Sequence, residues 1–237
     1  MNLSPDLAQK YELDILFEDN HVLVLNKRAS QITQGDKTGD EPLPDKIKSY
    51  LKEKYDKPGN VFCGVVHRLD RPTSGVLLFA RTSKALERMN KQFHDKETSK
   101  TYWAIVEQKP AKNSEKLVHF LKKNEKQNKS YASTTETKDS KKAILTYTLK
   151  ASSDKYHLLE IELETGRHHQ IRCQLATIGC IIKGDVKYGA KRSNPDASIS
   201  LHARSLVFNH PTSKEEIKIL APVPDDSLWK WFEKQLS

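Results

Sequence analysis

Short apolar runs along the chain predict strands in hairpin order, with a few amphipathic helices between them. Residues 13–17 and 21–27 are strand-like, and Asp19 and Asn20 between them are typical of a turn, so this region predicts a hairpin. Further strands are predicted over residues 76–80, 101–106, 143–149, 157–163, 181–182, 200–208 and 216–220. Helices are predicted over residues 43–55, 83–93, 168–178 and 228–236, where apolar residues recur at helical spacing.

Strands in hairpin order with few helices favour the α+β class over a doubly wound βαβ fold. We expect a large mixed sheet, mostly antiparallel, flanked by helices and loops. We also expect one domain over residues 1–237. The chain has no GxGxxG or P-loop pattern, so no site for a nucleotide cofactor is predicted.

The composition predicts a soluble globular protein with an anionic partner. Hydrophobic residues make up 36% and charged residues 30% of the chain, and the formal net charge is +9. Such a balance favours nucleic acid as the partner, although an inert basic surface has the same composition. Residues 109–142 hold ten lysines against four acidic residues. We expect short strands with exposed loops there, which either contact phosphates or form a solvated excursion.

Cysteine usage and hydropathy favour a cytoplasmic setting. The three cysteines, Cys63, Cys173 and Cys180, are an odd number without CxxC spacing, which argues against a disulfide framework and a structural zinc site. No apolar run approaches the ~20 residues of a membrane span, and the first ten residues lack the order of a signal peptide. We therefore expect no membrane association.

The stretch from Val65 to Ala80 is the strongest candidate for chemistry. Asp70 lies in a polar loop between two apolar runs, flanked by Arg68 and Arg71. Loops held by buried strands commonly carry reactive groups. Neighbouring cations favour the ionised carboxylate, which suits a nucleophile. The alternative is a surface salt bridge of little consequence.

Two further places carry candidate side chains. A helix beginning near His168 would place His168 and Arg172 on one face, and its N-terminus beside Arg167 would favour an anion. The adjacent His168 and His169 cannot point the same way from a helix and lack a third ligand at typical spacing, so no metal site is predicted. Tyr102 either stacks on a base or is a core aromatic.

The motif around Asp70 is similar to the signature of the RluA-type pseudouridine synthases, and the similarity continues along nearly the whole chain. Arg28 departs from the pattern, since a proline usually follows the lysine of the family's opening hairpin. The matching segments are Glu18-Asp19-Asn20 through Asn26-Lys27, His67-Arg68-Leu69-Asp70-x-x-Thr73-Ser74-Gly75, Lys100-Thr101-Tyr102-x-Ala104, Gly166-Arg167-x-His169-Gln170-Ile171-Arg172, Gly184-Asp185-x-x-Tyr188-Gly189, and Leu201-His202-Ala203 with His210-Pro211.

The resemblance implies the pseudouridine synthase fold and a role for each matching residue. Asp70 matches the catalytic aspartate, and Tyr102 matches the tyrosine that stacks on uracil and assists removal of the C5 proton. Arg172 matches the basic partner of the aspartate, and Arg68 the residue that fills the space left by a flipped nucleotide. The predicted site thus has Asp70, Tyr102 and Arg172 as catalytic residues, and Arg68, Arg71, Arg167, His169 and Gln170 as RNA contacts.

The implied activity is isomerisation of uridine to pseudouridine in ribosomal or transfer RNA. No atoms are gained and no redox change occurs, so no cofactor is needed. The carboxylate either attacks C1′ or removes the 2′ proton to give a glycal, and the sequence leaves both routes open. The alternative function is a non-catalytic RNA-binding or ribosome-assembly factor on the same fold. RNA is the only partner expected, a monomer is favoured, and we expect no preceding S4 domain.

Overall fold

The computed structural model describes residues 5–35 and 39–236, which fold as two units. The first unit comprises the described residues up to Ser99 together with Ala203–Pro222. The second comprises Lys100–His202 and the described residues from Val223 onward. The chain therefore enters the first unit twice.

The first unit is an antiparallel arrangement with three helices. Strand β1 pairs with β2, β2 with β4, β3 with β4, and β10 with β11, all antiparallel, and β10 lies beside β4. The predicted opening hairpin is confirmed. The helices and strands of the first unit are α1 (Pro5–Lys10), β1 (Ile15–Glu18), β2 (Val22–Lys27), α2 (Leu43–Lys54), β3 (Gly64–Val65), β4 (Ser74–Ala80), α3 (Ser83–His94), β10 (Leu201–Asn209) and β11 (Glu216–Leu220).

The second unit is an antiparallel sheet in the order β5-β9-β8-β6-β7, with two helices. Helix α5 packs Trp229 and Phe232 against Trp103 and Leu158 of this sheet. The helices and strands of the second unit are β5 (Ser99–Val106), β6 (Ser114–Asn124), β7 (Lys129–Ser133), β8 (Lys141–Ser152), β9 (His157–Leu163), α4 (Gln170–Thr177), a 3-10 turn (Val186–Tyr188) and α5 (Ser227–Lys234).

The α+β class is confirmed, but several local predictions are wrong. The lysine-rich segment was predicted as short strands with exposed loops. It contains the short β7, but β6 is a long strand over Ser114–Asn124 whose buried side carries Leu117, His119 and Leu121. Ser83 is the first residue of helix α3 and not its cap, although its hydroxyl is a candidate cap by sequence; the Thr82 hydroxyl accepts from Ala85 N instead. Residues 181–182 form only an isolated bridge, between Ile182 and Val106. Helix α1 was not predicted.

Within the described residues, no helix is long and apolar enough to cross a membrane.

Candidate active site

Asp70 lies on a tight turn between β3 and β4, and hydrogen bonds fix the backbone of this turn. The Thr73 backbone N–H donates to the carbonyl oxygen of Asp70 at 3.0 Å, which closes a four-residue turn. The Ser30 N–H donates to the carbonyl oxygen of Arg71, also at 3.0 Å. The Asp70 side chain itself is half-buried. The structure thus presents this carboxylate from a fixed backbone, as the sequence predicts for a reactive loop.

Lys27 holds the backbone of the same turn by hydrogen bonds. Its side chain is fully buried, and Nζ donates to the carbonyl oxygens of Arg28 at 3.0 Å, Arg71 at 3.1 Å and Thr73 at 2.7 Å. An ammonium group has three N–H donors, so these three acceptors satisfy it completely. Burial lowers the pKa of Lys27 to about 7, while the nearby Asp70 charge acts in the opposite direction.

Sequence reasoning gave Lys27 no role beyond its place in the opening hairpin. The signal was available, because a lysine inside an otherwise apolar strand is rarely fully buried without partners. Lys27 therefore joins the candidate site as a positioning residue for the Asp70 turn.

Both ends of the Asp70 loop are also anchored. On the entry side, His67 Nε2 accepts from the Leu78 backbone N–H at 3.1 Å, and its ring stacks on Phe93 with centroids 5.0 Å apart. On the exit side, Gly75 has a φ of +112°, and a Cβ placed there would lie 2.3 Å from the carbonyl oxygen of Ala203. Only glycine allows this close approach of the two backbones.

The two arginines predicted to contact RNA are exposed on this loop. Arg68 Nη1 donates to Gln34 Oε1 at 2.7 Å, and Arg71 Nη2 lies 2.5 Å from Asp40 Oδ2. Both side chains are at the surface, where an anionic ligand has access. That they bind RNA stays a prediction.

The departure at Arg28 has a structural explanation. The Arg28 backbone N–H donates to Gln31 Oε1 at 2.9 Å, and Gln31 Nε2 donates to the carbonyl oxygen of Glu12 at 2.8 Å. A proline has no N–H and could not make the first of these bonds. This chain thus fixes the start of the loop by a hydrogen bond.

Arg172 lies in the second unit and forms a buried ion pair with Asp185. Nε and Nη2 of Arg172 donate to the two carboxylate oxygens of Asp185 at 2.7 and 2.8 Å, and both side chains are at most 5% exposed. The guanidinium carbon also lies 5.2 Å from the centre of the Tyr188 ring. A bidentate pair fixes the plane of the guanidinium group, so Asp185 orients Arg172.

Asp185 and Tyr188 therefore join the candidate site; the sequence placed them in a segment that matches the family but gave them no role. A buried arginine needs a carboxylate partner, and Asp185 supplies it.

Helix α4 begins later than predicted. His169 is its N-cap and has a left-handed backbone with φ of 52°, so His168 lies outside the helix and does not share a face with Arg172 as predicted. His169 is buried, and its Nδ1 lies 3.1 Å from the Tyr188 hydroxyl. The left-handed residue gives the chain a sharp turn directly before α4, the helix that carries Arg172.

The neighbouring predicted RNA contacts bond to the protein itself. Gln170 is buried, accepts from the Arg167 backbone N–H at 3.0 Å and donates to the carbonyl oxygen of Ile144 at 3.0 Å. The exposed Arg167 donates through Nε to the carbonyl oxygen of Lys142 at 3.1 Å. These bonds hold the segment before Arg172 against β8, and the RNA contacts of His169, Gln170 and Arg167 stay predictions.

Tyr102 is buried on β5, opposite Ile161 of β9. Tyr102 and Arg172 belong to the second unit, whereas Asp70 belongs to the first. That these three side chains act on one substrate stays a prediction.

The two adjacent histidines stack on each other, with ring centroids 3.8 Å apart. Over residues 5–35 and 39–236, no three His, Cys, Asp or Glu side chains come close enough together to hold a metal ion.

Comparison with known proteins identifies the family of this chain. Residues 21–177 match the model of the RNA pseudouridylate synthase family. Over 223 residues the chain is 32% identical to a Bacillus subtilis protein named "Uncharacterized RNA pseudouridine synthase YlyB", covering 93% of this chain and 72% of that one. It is 34% identical over 221 residues to ribosomal large subunit pseudouridine synthase C of Rickettsia prowazekii, covering 92% and 71%.

The structure agrees with this assignment. It matches the solved structure of human RNA pseudouridylate synthase domain containing 4 with a TM-score of 0.78 and 21% identity, covering 98% of this chain and 95% of the human one. This match confirms the predicted fold. The chain therefore belongs to the RluA-type RNA pseudouridylate synthase family.

Proposed function

We propose that this isomerase converts uridine to pseudouridine in ribosomal RNA, with Asp70 as its catalytic carboxylate. The observation that carries the proposal is the fixed turn at Asp70. The backbone of this turn is held by Thr73 N, Ser30 N and the buried Lys27, while the carboxylate remains half-buried. A preorganised carboxylate is what a reaction at a ribose carbon requires.

The chemistry of the reaction explains the need for an ionised carboxylate. The N1–C1′ bond breaks, the uracil turns, and C5 joins C1′. Whether Asp70 attacks C1′ or removes the 2′ proton, it must begin as the anion. Arg68 and Arg71 flank Asp70 in the sequence, and the buried Lys27 interacts electrostatically with the Asp70 carboxylate.

We assign the remaining steps to three residues. Tyr102 stacks on the uracil and assists removal of the C5 proton. Arg172, oriented by its bidentate contact with Asp185, stabilises the Asp70 carboxylate. Arg68 occupies the space left by the flipped nucleotide, and its contacts help to offset the few kcal/mol that unstacking costs.

Ribosomal RNA is the proposed substrate because of the relatives. Two of them, from Rickettsia prowazekii and Zymomonas mobilis, are named ribosomal large subunit pseudouridine synthases C and D, and each aligns with 92% of this chain. The net charge of +9 fits a polyanionic substrate of this kind. We further propose that the protein acts in the cytoplasm as a monomer.

Mapping pseudouridines in cellular RNA tests the proposal. Chemical modification of pseudouridine, read as reverse-transcription stops, compares ribosomal and transfer RNA from cells with and without this gene. We expect at least one stop in large-subunit ribosomal RNA to vanish on deletion and to return with the wild-type gene, but not with Asp70→Asn. Loss of stops only in transfer RNA would refute the ribosomal substrate, and restoration by Asp70→Asn would refute the role of Asp70.

A further inference from the structure

The second unit has a sheet surface that the catalytic assignment does not use. Along β6, Leu117, His119 and Leu121 are buried, whereas the alternate positions Val118 and Lys122 are exposed. Strand register extends this second set of positions across the sheet. We call this surface the outer face and define it by Val118, Phe120 and Lys122 of β6, Tyr131 of β7, and Lys142 and Ile144 of β8.

Two aromatic rings on the outer face are diagonal neighbours. Tyr131 is 49% exposed and lies directly opposite Lys122. Phe120 is two residues along β6 from Lys122, partly exposed, and opposite both Ser133 and Lys142. Diagonal positions of this kind are about 7–8 Å apart, so the two rings can receive consecutive bases.

Lysines surround the two rings. Lys122 and Lys142 are exposed and each lies opposite one ring in the register. Lys122 lies 3.7 Å from Asp139, but this pair is more than half exposed on both sides, so it competes weakly with a phosphate. Aromatic rings alternating with lysines are the pattern of surfaces that bind single-stranded nucleic acid.

No helix of the second unit covers this part of the sheet in the described chain. The register continues from the outer face to Trp103 of β5, where Trp229 and Phe232 of α5 pack. The cluster formed by that helix includes Ala151 near the end of β8 but no residue of β6 or β7. The exposed Tyr131 and Val118 are therefore large side chains on open sheet surface.

Lys129 connects the outer face with the side of the sheet that carries Arg172. Its Nζ lies 5.6 Å from the centre of the Tyr131 ring and 4.9 Å from the centre of the Tyr188 ring, on which Arg172 also packs. Strand β7 ends the order of this sheet, so Lys129 lies at an edge. The Lys129 side chain therefore links the outer face to the buried Tyr188 ring that Arg172 also contacts.

We propose that the outer face binds a single-stranded segment of the RNA substrate away from the target uridine. Bases stack on Tyr131 and Phe120, and phosphates contact Lys122, Lys129 and Lys142. The proposal rests on the proposed RNA-modifying function and adds a second region of contact with the RNA, in the lysine-rich segment.

Photo-crosslinking tests the proposal directly. The probe is an oligouridine of about 20 nucleotides, longer than typical single-strand sites, that contains 5-iodouridine, which couples on irradiation to aromatic rings stacked against it. We expect crosslinked peptides that contain Tyr131 or Phe120. Crosslinks confined to other peptides would overturn the proposal.

Binding measurements with variants provide the second arm. Tyr131→Ala should weaken binding of the same oligouridine at least fivefold, whereas Tyr131→Phe should bind like wild type, since the ring is kept. The double change Lys122→Gln and Lys142→Gln should lower the slope of log affinity against log salt by about 1.4, or about 0.7 per phosphate contact. The matched pair Lys155→Gln and Lys234→Gln, also exposed in this unit, should not change the slope.

The outcomes separate this proposal from the proposed function. If the wild-type protein forms pseudouridine in ribosomal RNA but Tyr131→Ala binds oligouridine with wild-type affinity, the proposed RNA binding by the outer face is refuted. The proposed function is then unaffected. Circular dichroism of each variant confirms that the sheet is intact, and an unfolded Tyr131→Ala is replaced by Tyr131→Ser with the same expectation. If the protein forms no pseudouridine but Tyr131 crosslinks to the RNA, the proposed RNA binding by the outer face is supported and the proposed activity is refuted.

Discussion

The Lys27 Nζ atom lies 2.7 Å from the carbonyl oxygen of Thr73, inside the turn that carries Asp70. The same atom also contacts the carbonyl oxygens of Arg28 and Arg71. One buried ammonium therefore joins the end of β2 to the turn after β3, two segments more than forty residues apart in sequence. These hydrogen bonds from Lys27 therefore help to position the proposed catalytic carboxylate.

Replacing Lys27 with methionine should loosen the Asp70 turn. Methionine fills much of the space but donates no hydrogen bond, so three carbonyl oxygens lose their partner. At about 1 kcal/mol or more for each, the free energy of unfolding should fall by about 3 kcal/mol, measured by urea unfolding. Lys84→Met, on the exposed face of α3, is the control and should change it by less than about 0.5 kcal/mol. Equal stability of the two variants would refute the role of Lys27.

The lowered pKa of Lys27 also predicts a pH dependence. Below pH 7 this lysine is protonated in both the folded and unfolded states, so its contribution does not change with pH. Between about pH 7 and pH 10 the folded state has lost this proton and the unfolded state keeps it, so folding stability rises with pH. The wild-type advantage over Lys27→Met in free energy of unfolding should therefore grow across this window. A constant difference from pH 6 to pH 10 would contradict the shift.

Gly75→Ala should disturb the exit of the same loop. The new methyl group would meet the Ala203 backbone at 2.3 Å, at a φ of +112°, so the two strands must separate. We expect a loss of about 2–4 kcal/mol in the free energy of unfolding. Gly59→Ala is the matched control, because nothing lies within 4 Å of its added Cβ. Should both variants unfold at the same urea concentration, the close approach would not be required.

Arg172→Lys tests the oriented guanidinium in the second unit. Lysine keeps the charge but cannot bridge both oxygens of Asp185. We expect the single-turnover rate of pseudouridine formation to fall at least tenfold while the RNA dissociation constant changes less than threefold. Arg192→Lys, at an exposed position, should leave both unchanged. A weaker RNA affinity with an unchanged rate would assign Arg172 to binding instead.

Periodicity predicted most elements of the fold because their apolar faces are regular. The opening hairpin, α2, β5, β9 and α5 follow from alternation or helical spacing. Strand β6 was underestimated because Lys122 and Lys123 continue it after its apolar residues end. Lysines are compatible with a strand when one side of the sheet faces solvent, and composition alone does not show this.

The site was predicted unevenly for a similar reason. Motif order assigned Asp70, Tyr102 and Arg172 to the candidate site, which stays a prediction, but it gave no role to Lys27 and Asp185, which contact the Asp70 turn and Arg172. Lys27 and Asp185 act through long-range contacts with backbone carbonyls and with a guanidinium group. A lysine in an apolar strand indicates that it needs partners, but which residues supply them depends on the folded chain. His168 was predicted to lie in the helix, but His169 has a left-handed backbone and the helix begins only at Gln170.

Tritium release from RNA labelled at C5 of uridine tests the central claim most directly. Pseudouridine formation exchanges the C5 hydrogen with water, so the wild-type protein should release tritium from ribosomal RNA of cells that lack this gene. Asp70→Asn should bind that RNA with an affinity within about threefold of wild type, since the change removes one charge and little volume, yet release no tritium. Release by Asp70→Asn at the wild-type rate would contradict the account of Asp70 as the catalytic carboxylate.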